Sequence, residues 1–569
     1  MRERLHINGR SSAPFGSFAL GSAPTFCALF IVLAAFVLAS GSTITQAAEA
    51  EFSPNYAAFT LRRDENWSPL ATEDLNGDGR KDLVYGAYSE GGGRELLVLY
   101  QDNSGGFSQR PQRIEIKSEI IGIGFAELRP EPGIELLLYA ANGVFSLSAG
   151  IEGYAGNLRP LLQADALATI ASNRSVELMP ALEDQDADGM PDLLLPRANG
   201  FAFYRGAEPG FEEAGNIATV NDALALARRN NREAGLDARL GINAQDGLAI
   251  EFAVERANPF DDFVRIWQPR SNKSENENED GEQPADILNS EKWIPNALLR
   301  NLNGDARMDL AFVNLDAEAN PQLNIAYQSP KGFAEDRIWS GSLAGDDGRG
   351  ERRLVDLDGD GLDDFLRLSG DGDEWEVRLH RNRLSAGEES VDIAPFILDT
   401  PDQILRLRGY DMRVEALQIG SGETVLAVSF YTLPVVDAIR SASINRTQLL
   451  YAAAEQDQAQ QGLLFERRPA SQLSESFSAA NVRGLSEQMS LRYDIDNDGR
   501  KDALYVTESG TLAAKRIDSS LTIADEPFWE YTSNSTVFEF EVKALNDDST
   551  PDLILRHGTT ITVLVSRND

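Results

Sequence analysis

The sequence predicts an all-β fold: a single closed β-propeller of four-stranded blades, about 8 of them, with 7–9 compatible with the spacing. Three observations predict it. A nine-residue acidic phrase recurs along the chain. Each copy runs into a short apolar segment bounded by turn residues, which reads as a strand. The two ends are complementary, one carrying a spare strand and the other lacking one.

The phrase first appears as DLNGDGRKD, with Asp74, Asn76, Asp78 and Asp82 at positions 1, 3, 5 and 9. It returns as DQDADGMPD (Asp184, Asp186, Asp188, Asp192) and NLNGDARMD (Asn301, Asn303, Asp305, Asp309). Two further copies are DLDGDGLDD (Asp356, Asp358, Asp360, Asp364) and DIDNDGRKD (Asp494, Asp496, Asp498, Asp502). A weaker sixth, ALNDDSTPD, keeps Asn546, Asp548 and Asp552. Two segments keep the framework and lose the oxygens: Glu127–Glu135 (ELRPEPGIE) and Ala416–Thr424 (ALQIGSGET). A degenerate ninth register falls near Asn243–Glu251.

Final positions of neighbouring copies lie mostly 50–60 residues apart, the size of a propeller blade. The intervals from Asp192 to Asp309 and from Thr424 to Asp502 are longer. The first contains Ser271–Asp286 (SNKSENENEDGEQPAD), expected to be an acidic flexible loop, and Asn221–Arg232, a candidate short helix. Apolar runs such as Leu83–Tyr85, Leu193–Leu195, Leu310–Val313 and Ala503–Val506 follow the phrases. After Asp552 only two strands remain, around Leu553–Arg556 and Thr560–Val565. The spare segment Ala57–Arg62 (AAFTLR) is expected to complete that last blade, because an array of blades buries its faces only by closing or being capped.

Residues 1–50 read as a signal peptide and cleavage region. Arg2, Arg4 and Arg10 precede an uncharged run from Cys27 to Ser40, and small residues follow to Ala50. Cleavage after Ala47 or Ala50 is expected, leaving residues 51–569 as the propeller; an uncleaved anchor is the alternative. The expected location is secreted or periplasmic, with no transmembrane segment after cleavage. Cys27 is the one cysteine, so the mature chain would lack disulfides and need another staple.

The chain has 569 residues, 42% of them hydrophobic, and a net charge of −38. That balance supplies globular cores, while the acidity repels phosphate backbones and argues against nucleic acid. No Gly-rich phosphate loop, nucleophile elbow or His-Glu metalloprotease pattern is present.

Positions 1, 3, 5 and 9 of the phrase carry oxygen-bearing side chains, with no His or thiolate, and position 6 is usually Gly, which permits the turn that wraps the loop; Asn301 and Ala306 weaken the third copy, and Ala544 and Ser549 the last. Such a set in a flexible loop selects Ca²⁺, several ions in all, about 4–6. An EF-hand would need Glu at position 12 and helical flanks; here position 12 is Tyr85, Leu195, Phe312, Arg367 or Tyr505. The six loops hold 19 carboxylates at these positions, half the net charge.

These residues resemble the FG-GAP/VCBS repeat family, the blades also found in the head of integrin α chains. The resemblance covers nearly all of Ala57–Asp569. It implies a propeller with calcium in the loops between the first two strands of a blade. It implies metal-free blades at Glu127–Glu135 and Ala416–Thr424. It fixes no activity, since one fold carries many functions. The functional expectation is a calcium-binding module for a protein or glycan at the cell surface, in adhesion or capture, and not an enzyme. The alternative is a polysaccharide lyase or hydrolase on the same frame. His380 and His557 sit in strand-like contexts and read as structural or exposed; Arg378–Arg383 (RLHRNR) and the six tryptophans read first as solvated face and blade core.

Overall fold

The computed structural model describes residues 54–567 apart from 63–69, 89–92, 141, 152, 165–177, 198–199, 220–262, 269–289, 296, 317–319, 344–350, 372, 389–390, 433–442, 455–461 and 479–488. Residues 1–50, expected to be a signal region, and Asn221–Arg232, Asn243–Glu251 and Ser271–Asp286 lie outside the described residues.

The fold is an eight-bladed β-propeller. Blade 1 comprises Leu70–Glu73, Asp82–Tyr88, Arg94–Leu99 and Gln112–Ile116, named from the inner to the outer strand. Blade 2 comprises Ile120–Ala126, Glu135–Ala140, Gly143–Leu147 and Arg159–Gln163. Blade 3 has Leu178–Ala181, Leu193–Arg197, Gly200–Ala207 and Gly210–Ala218. Its inner segment hydrogen-bonds in parallel to the inner strand of blade 2. Blade 4 has Ala297–Arg300, Asp309–Leu315, Pro321–Ala326 and Ile338–Ser342. Blade 5 has Glu351–Val355, Asp364–Asp371, Glu374–His380 and Gln403–Arg408. Blade 6 has Tyr410–Gly420, Glu423–Thr432, Ser443–Ala452 and Ser471–Ser478; blade 7 has Ser490–Tyr493, Asp502–Val506, Leu512–Lys515 and Trp529–Tyr531. Blade 8 takes Glu539–Lys543, Asp552–Arg556 and Thr560–Arg567 from the end of the chain and Asn55–Arg62 from its beginning.

The closing strand runs antiparallel to Thr560–Arg567 over its whole length, from Asn55 opposite Arg567 to Arg62 opposite Thr560. The expected closure by Ala57–Arg62 is therefore how the ring is sealed. Both long intervals have an explanation. A separate hairpin, Phe263–Gln268 with Ser290–Pro295, lies in the connection from blade 3 to blade 4. Blade 6 is built from unusually long strands, of 11, 10, 10 and 8 residues. The one helical element among the described residues is a single 3-10 turn, Glu335–Arg337.

Alternation in each strand sends apolar side chains to both faces of a blade, where they meet the neighbouring blades. The apolar clusters accordingly span blade pairs. Leu96, Val98 and Ile123 join blades 1 and 2. Leu379, Leu405 and Val428 join blades 5 and 6. Ala57, Leu61, Leu83, Leu97, Ile554 and Val563 join blade 8 to blade 1 across the closure.

Candidate functional site: the acidic loops between inner and second strands

All six acidic phrases occupy one topological position, the connection from the inner to the second strand of a blade. In the loops opened by Asp74, Asp184, Asp356 and Asp494, the position-1 carboxylate folds inward. Its Oδ2 accepts from the position-6 glycine N–H, at 2.8, 2.7, 3.0 and 2.8 Å respectively. Those glycines, Gly79, Gly189, Gly361 and Gly499, have φ between 84° and 91°, the left-handed region that a Cβ disfavours. Position 4 is left-handed too, at Gly77, Ala187, Gly304, Gly359 and Asn497. The position-5 carboxylate closes a further turn by accepting from the position-7 N–H, as in Asp78 with Arg80 at 3.0 Å and Asp360 with Leu362 at 2.8 Å.

The turns bring carboxylates together. Oxygens of Asp184, Asp186 and Asp192 lie within 4.8 Å of one another; so do those of Asp356, Asp358 and Asp360, and those of Asp494, Asp496 and Asp502. Each group has the chemistry and spacing to hold a metal ion. Two of their oxygens, Asp358 Oδ1 and Asp496 Oδ1, are buried without a hydrogen-bond partner. Asp188, Asp364 and Asp498 belong to the same three loops. In the loops of Asp74, Asn301 and Asn546, position 3 is Asn, and its Nδ2 donates to the position-5 carboxylate: Asn76 to Asp78 at 3.1 Å, Asn303 to Asp305 at 3.4 Å, Asn546 to Asp548 at 3.1 Å.

Position 9 is also a framework residue. Asp82 Oδ2 accepts from Leu75 N at 3.0 Å and its Oδ1 from Gln101 N at 2.9 Å. Asp192, Asp364 and Asp552 repeat the double bond, joining the loop to the far end of the third strand. Asp309 accepts from Gln328 N and Asp502 from Ile495 N. Burial pushes these carboxyls up: to about 6 for Asp82 and Asp192, about 7 for Asp309 and Asp502, and about 8 for Asp364. The neighbouring loop carboxylates add to the rise, while the backbone N–H groups oppose it.

Position 2 is an anchor. Leu75, Leu302, Leu357, Ile495 and Leu545 are buried between blades. Backbone bonds stitch successive loops together: Lys81 N to Leu545 O at 2.9 Å, Ile134 N to Asp74 O at 2.9 Å, Met308 N to Gln185 O at 2.8 Å, Asp363 N to Asn301 O at 3.1 Å and Lys501 N to Ile419 O at 2.7 Å. The first of these crosses the ring closure. Sequence reasoning missed positions 2 and 4; the recurrent Leu or Ile and the recurrent small residue were their signals.

The two ligand-poor segments differ from each other. Glu127–Glu135 remains a loop, and Glu135 Oε2 accepts from Leu128 N at 2.8 Å, as the position-9 aspartates do. Its position 3 is Arg129, whose guanidinium donates to Ser146 Oγ and O and to Asn157 Oδ1 and O, all buried. Ala416–Thr424 has no loop; Gly420 pairs with Glu423 around a two-residue turn in which Gly422 has φ 71°.

Other candidates fall into the framework. His380 is fully buried, its Nδ1 bonded to Ile397 O at 2.8 Å. His557 bonds to Thr536 O and Thr562 Oγ1. Arg378, Arg381 and Arg383 pair with Glu376, Asp358 and Asp402. Trp339 and Trp529 are buried, and Trp375 donates to Gly409 O at 2.8 Å. Among the described residues no helix is long and apolar enough to cross a membrane.

No family model matches the chain. No curated protein matches it. One similar solved structure is the S. cerevisiae core factor, determined at 3.2 Å: it is 8% identical with a TM-score of 0.30, and the match covers 91% of this chain and 62% of that one. This chain therefore spans less than two thirds of that chain's length, and a likeness at this level transfers nothing.

Proposed function

We propose that this is an exported calcium-binding propeller of the FG-GAP/VCBS type, working as a binding module for a protein or glycan. The observation that carries the reading is the convergence of carboxylate oxygens within 4.8 Å in three loops of identical topology. Oxygens on opposite sides of a calcium ion, at 2.3–2.6 Å each, are separated by about that span. Two carboxylates this close repel by about 3 kcal/mol at an effective dielectric of about 20, so a cation turns a splaying force into a clip. The partnerless buried oxygens of Asp358 and Asp496 fit the same ligand. The all-oxygen donor set favours calcium over transition metals.

Asp74, Asn76, Asp78 and Asp82, and their counterparts in the other loops, would hold the ions. The ion supplies charge neutralisation there. At a dissociation constant of about 0.1 mM and about 10 mM free calcium, each site would add about 2.7 kcal/mol to stability. Such sites would take the place of disulfides in a chain with one cysteine. Export is supported by the basic start and the apolar run from Cys27 to Ser40.

Binding rather than catalysis is the proposed activity. The loops stitch blade to blade and hold one face of the ring rigid, and partners would dock where loops of several blades meet. The test is capture of glycans and surface proteins by the purified chain, with calcium and with chelator, beside a turnover assay on each captured glycan. Calcium-dependent capture without turnover is expected. Steady product release abolished by one surface substitution would move the protein to the enzyme class.

A further inference from the structure

The third strand of each blade ends opposite position 9 of its loop. Pairing fixes which residue stands there, because position 10 pairs with the residue just before it: Leu83 with Leu99, Leu193 with Tyr204, Leu310 with Ala326, Phe365 with His380, Ala503 with Lys515, Leu553 with Leu564. The residues that follow are Tyr100, Arg205, Tyr327, Arg381, Arg516 and Val565. They sort by position 3. Where position 3 is Asp (Asp186, Asp358, Asp496) the strand offers Arg; where it is Asn (Asn76, Asn303, Asn546) it offers Tyr or Val.

The contacts explain the match. Arg205 pairs with Asp186 and lies 3.8 Å from Asp188 Oδ2. Arg381 Nε lies 3.0 Å from Asp358 Oδ2, and Arg516 Nε donates to Asp496 Oδ2 at 2.8 Å. Each arginine takes one oxygen of the position-3 carboxylate. In the loops of Asp358 and Asp496 the other oxygen, Oδ1, is the buried partnerless one. The Asp186 and Asp496 side chains are only 3% and 4% exposed, so either would be an uncompensated buried charge without its arginine. An Asn at position 3 needs no such partner, because its own Nδ2 donates to position 5.

We propose that Arg205, Arg381 and Arg516 are resident counter-cations and positioning residues of three loops, so that the chain carries two classes of cation site. The arginine-backed loops depend less on a metal ion for their shape than their carboxylate count implies. The loops of Asp358 and Asp496 present one free position-3 oxygen to it, whereas Asp186 Oδ1 already accepts from Asp188 N, and all three bind it more weakly than the carboxylate count implies. The Asn-type loops carry fewer acids at these positions, three in the Asp74 loop and two each in the loops of Asn303 and Asn546; in the first two the arginine comes from position 7 of the loop itself and pairs with position 5, Arg80 with Asp78 and Arg307 with Asp305. The affinity part of the proposal rests on the calcium reading given above; the metal-free part does not.

The test converts blade 7 from one class to the other in the full chain. Arg516→Tyr copies the residue of blades 1 and 4, and Asp496→Asn plus Arg516→Tyr copies their whole pair. In chelator, R516Y is expected to lower the melting temperature and the double variant to recover most of it. In calcium, R516Y is expected to regain most of the loss. Calorimetric titration should show one site tightened by at least about tenfold, the effect that removing a unit charge from beside a divalent ion has even at near-water dielectric. If R516Y fails to fold in chelator, folding of the double variant there carries the same support. Equal losses for R516Y in chelator and calcium, a double variant no better than the single, or weaker calcium binding by R516Y would overturn the proposal. Wild-type protein that binds no calcium would remove the calcium reading alone, with the chelator comparison still deciding the arginine's role.

Discussion

Blades 2 and 7 solve one problem in opposite ways. Both have a loop closed at position 9 by an acid that accepts from the position-2 N–H: Glu135 from Leu128 and Asp502 from Ile495. In blade 7 the loop presents Asp496 and the strand supplies Arg516. In blade 2 the loop presents Arg129, and the strand and its following turn supply the acceptors, Ser146 and Asn157. The outer frame is common, while the loop centre is filled by converging carboxylates in one blade and by a covalently attached cation in the other. The difference teaches that position 9 and the blade-to-blade stitches define the blade, and that the charge at the loop centre varies within that frame. Blade 6 goes further, dispensing with the loop in favour of the turn before Glu423.

The largest effect should come from the shared frame. Asp364→Ala orphans the N–H groups of Leu357 and Asn382, both buried. A loss of about 2–5 kcal/mol is expected, measured by denaturant unfolding, and it should persist in saturating calcium. A loss seen in calcium and absent in chelator would mean that position 9 acts only as a ligand.

Next is the centre of the blade 2 loop. Arg129→Met leaves Ser146 and Asn157 without their buried donor. About 2–4 kcal/mol should be lost equally in calcium and in chelator, because the cation removed is part of the chain. A loss that calcium repairs would put blade 2 among the ion-dependent blades.

Asp358→Ala plus Asp360→Ala should leave the fold intact and reduce calcium stoichiometry by about one, read by equilibrium dialysis. Unchanged stoichiometry would remove Asp356–Asp364 from the set of sites.

The smallest effect is a pH dependence. Burial raises the Glu135 carboxyl to about 7, above its ordinary value of 4.5. Its neutral form is favoured in the folded state, so this contribution is fully present below about pH 4.5 and is lost as pH rises through about 7. Glu135→Gln should flatten that loss, worth about 2 kcal/mol between pH 5 and pH 8 in unfolding titrations. An identical pH profile would show that Glu135 is already ionised at low pH in the native state.

Much of this was legible because repeats align themselves. Six phrases in one sequence located the inner-to-second-strand connection of six blades. The strand deficit after Thr560–Val565 identified Ala57–Arg62 as the seal. Gly at position 6 marked the four loops with a left-handed residue there; Ala306 and Ser549 marked the two weaker ones. Other features were illegible for physical reasons. The double acceptance by Asp364 depends on Asn382, which the fold brings back across a hairpin. The pairing of Asp358 with Arg381 is likewise set by strand register, not by chain neighbourhood. Left-handed Ala187 breaks the composition rule for its position and could be placed only by analogy with Gly77 and Gly359. The turn at Gly422 erased a loop whose remaining letters still resembled the frame.

The central claim is that cations hold the loops and the loops hold the ring. Thermal unfolding of the full chain, in excess chelator and then in millimolar calcium or magnesium, tests it most directly. The account predicts a melting temperature lowered by roughly 10 °C in chelator and restored by calcium but not by magnesium. An identical melting curve in chelator and in calcium would contradict it.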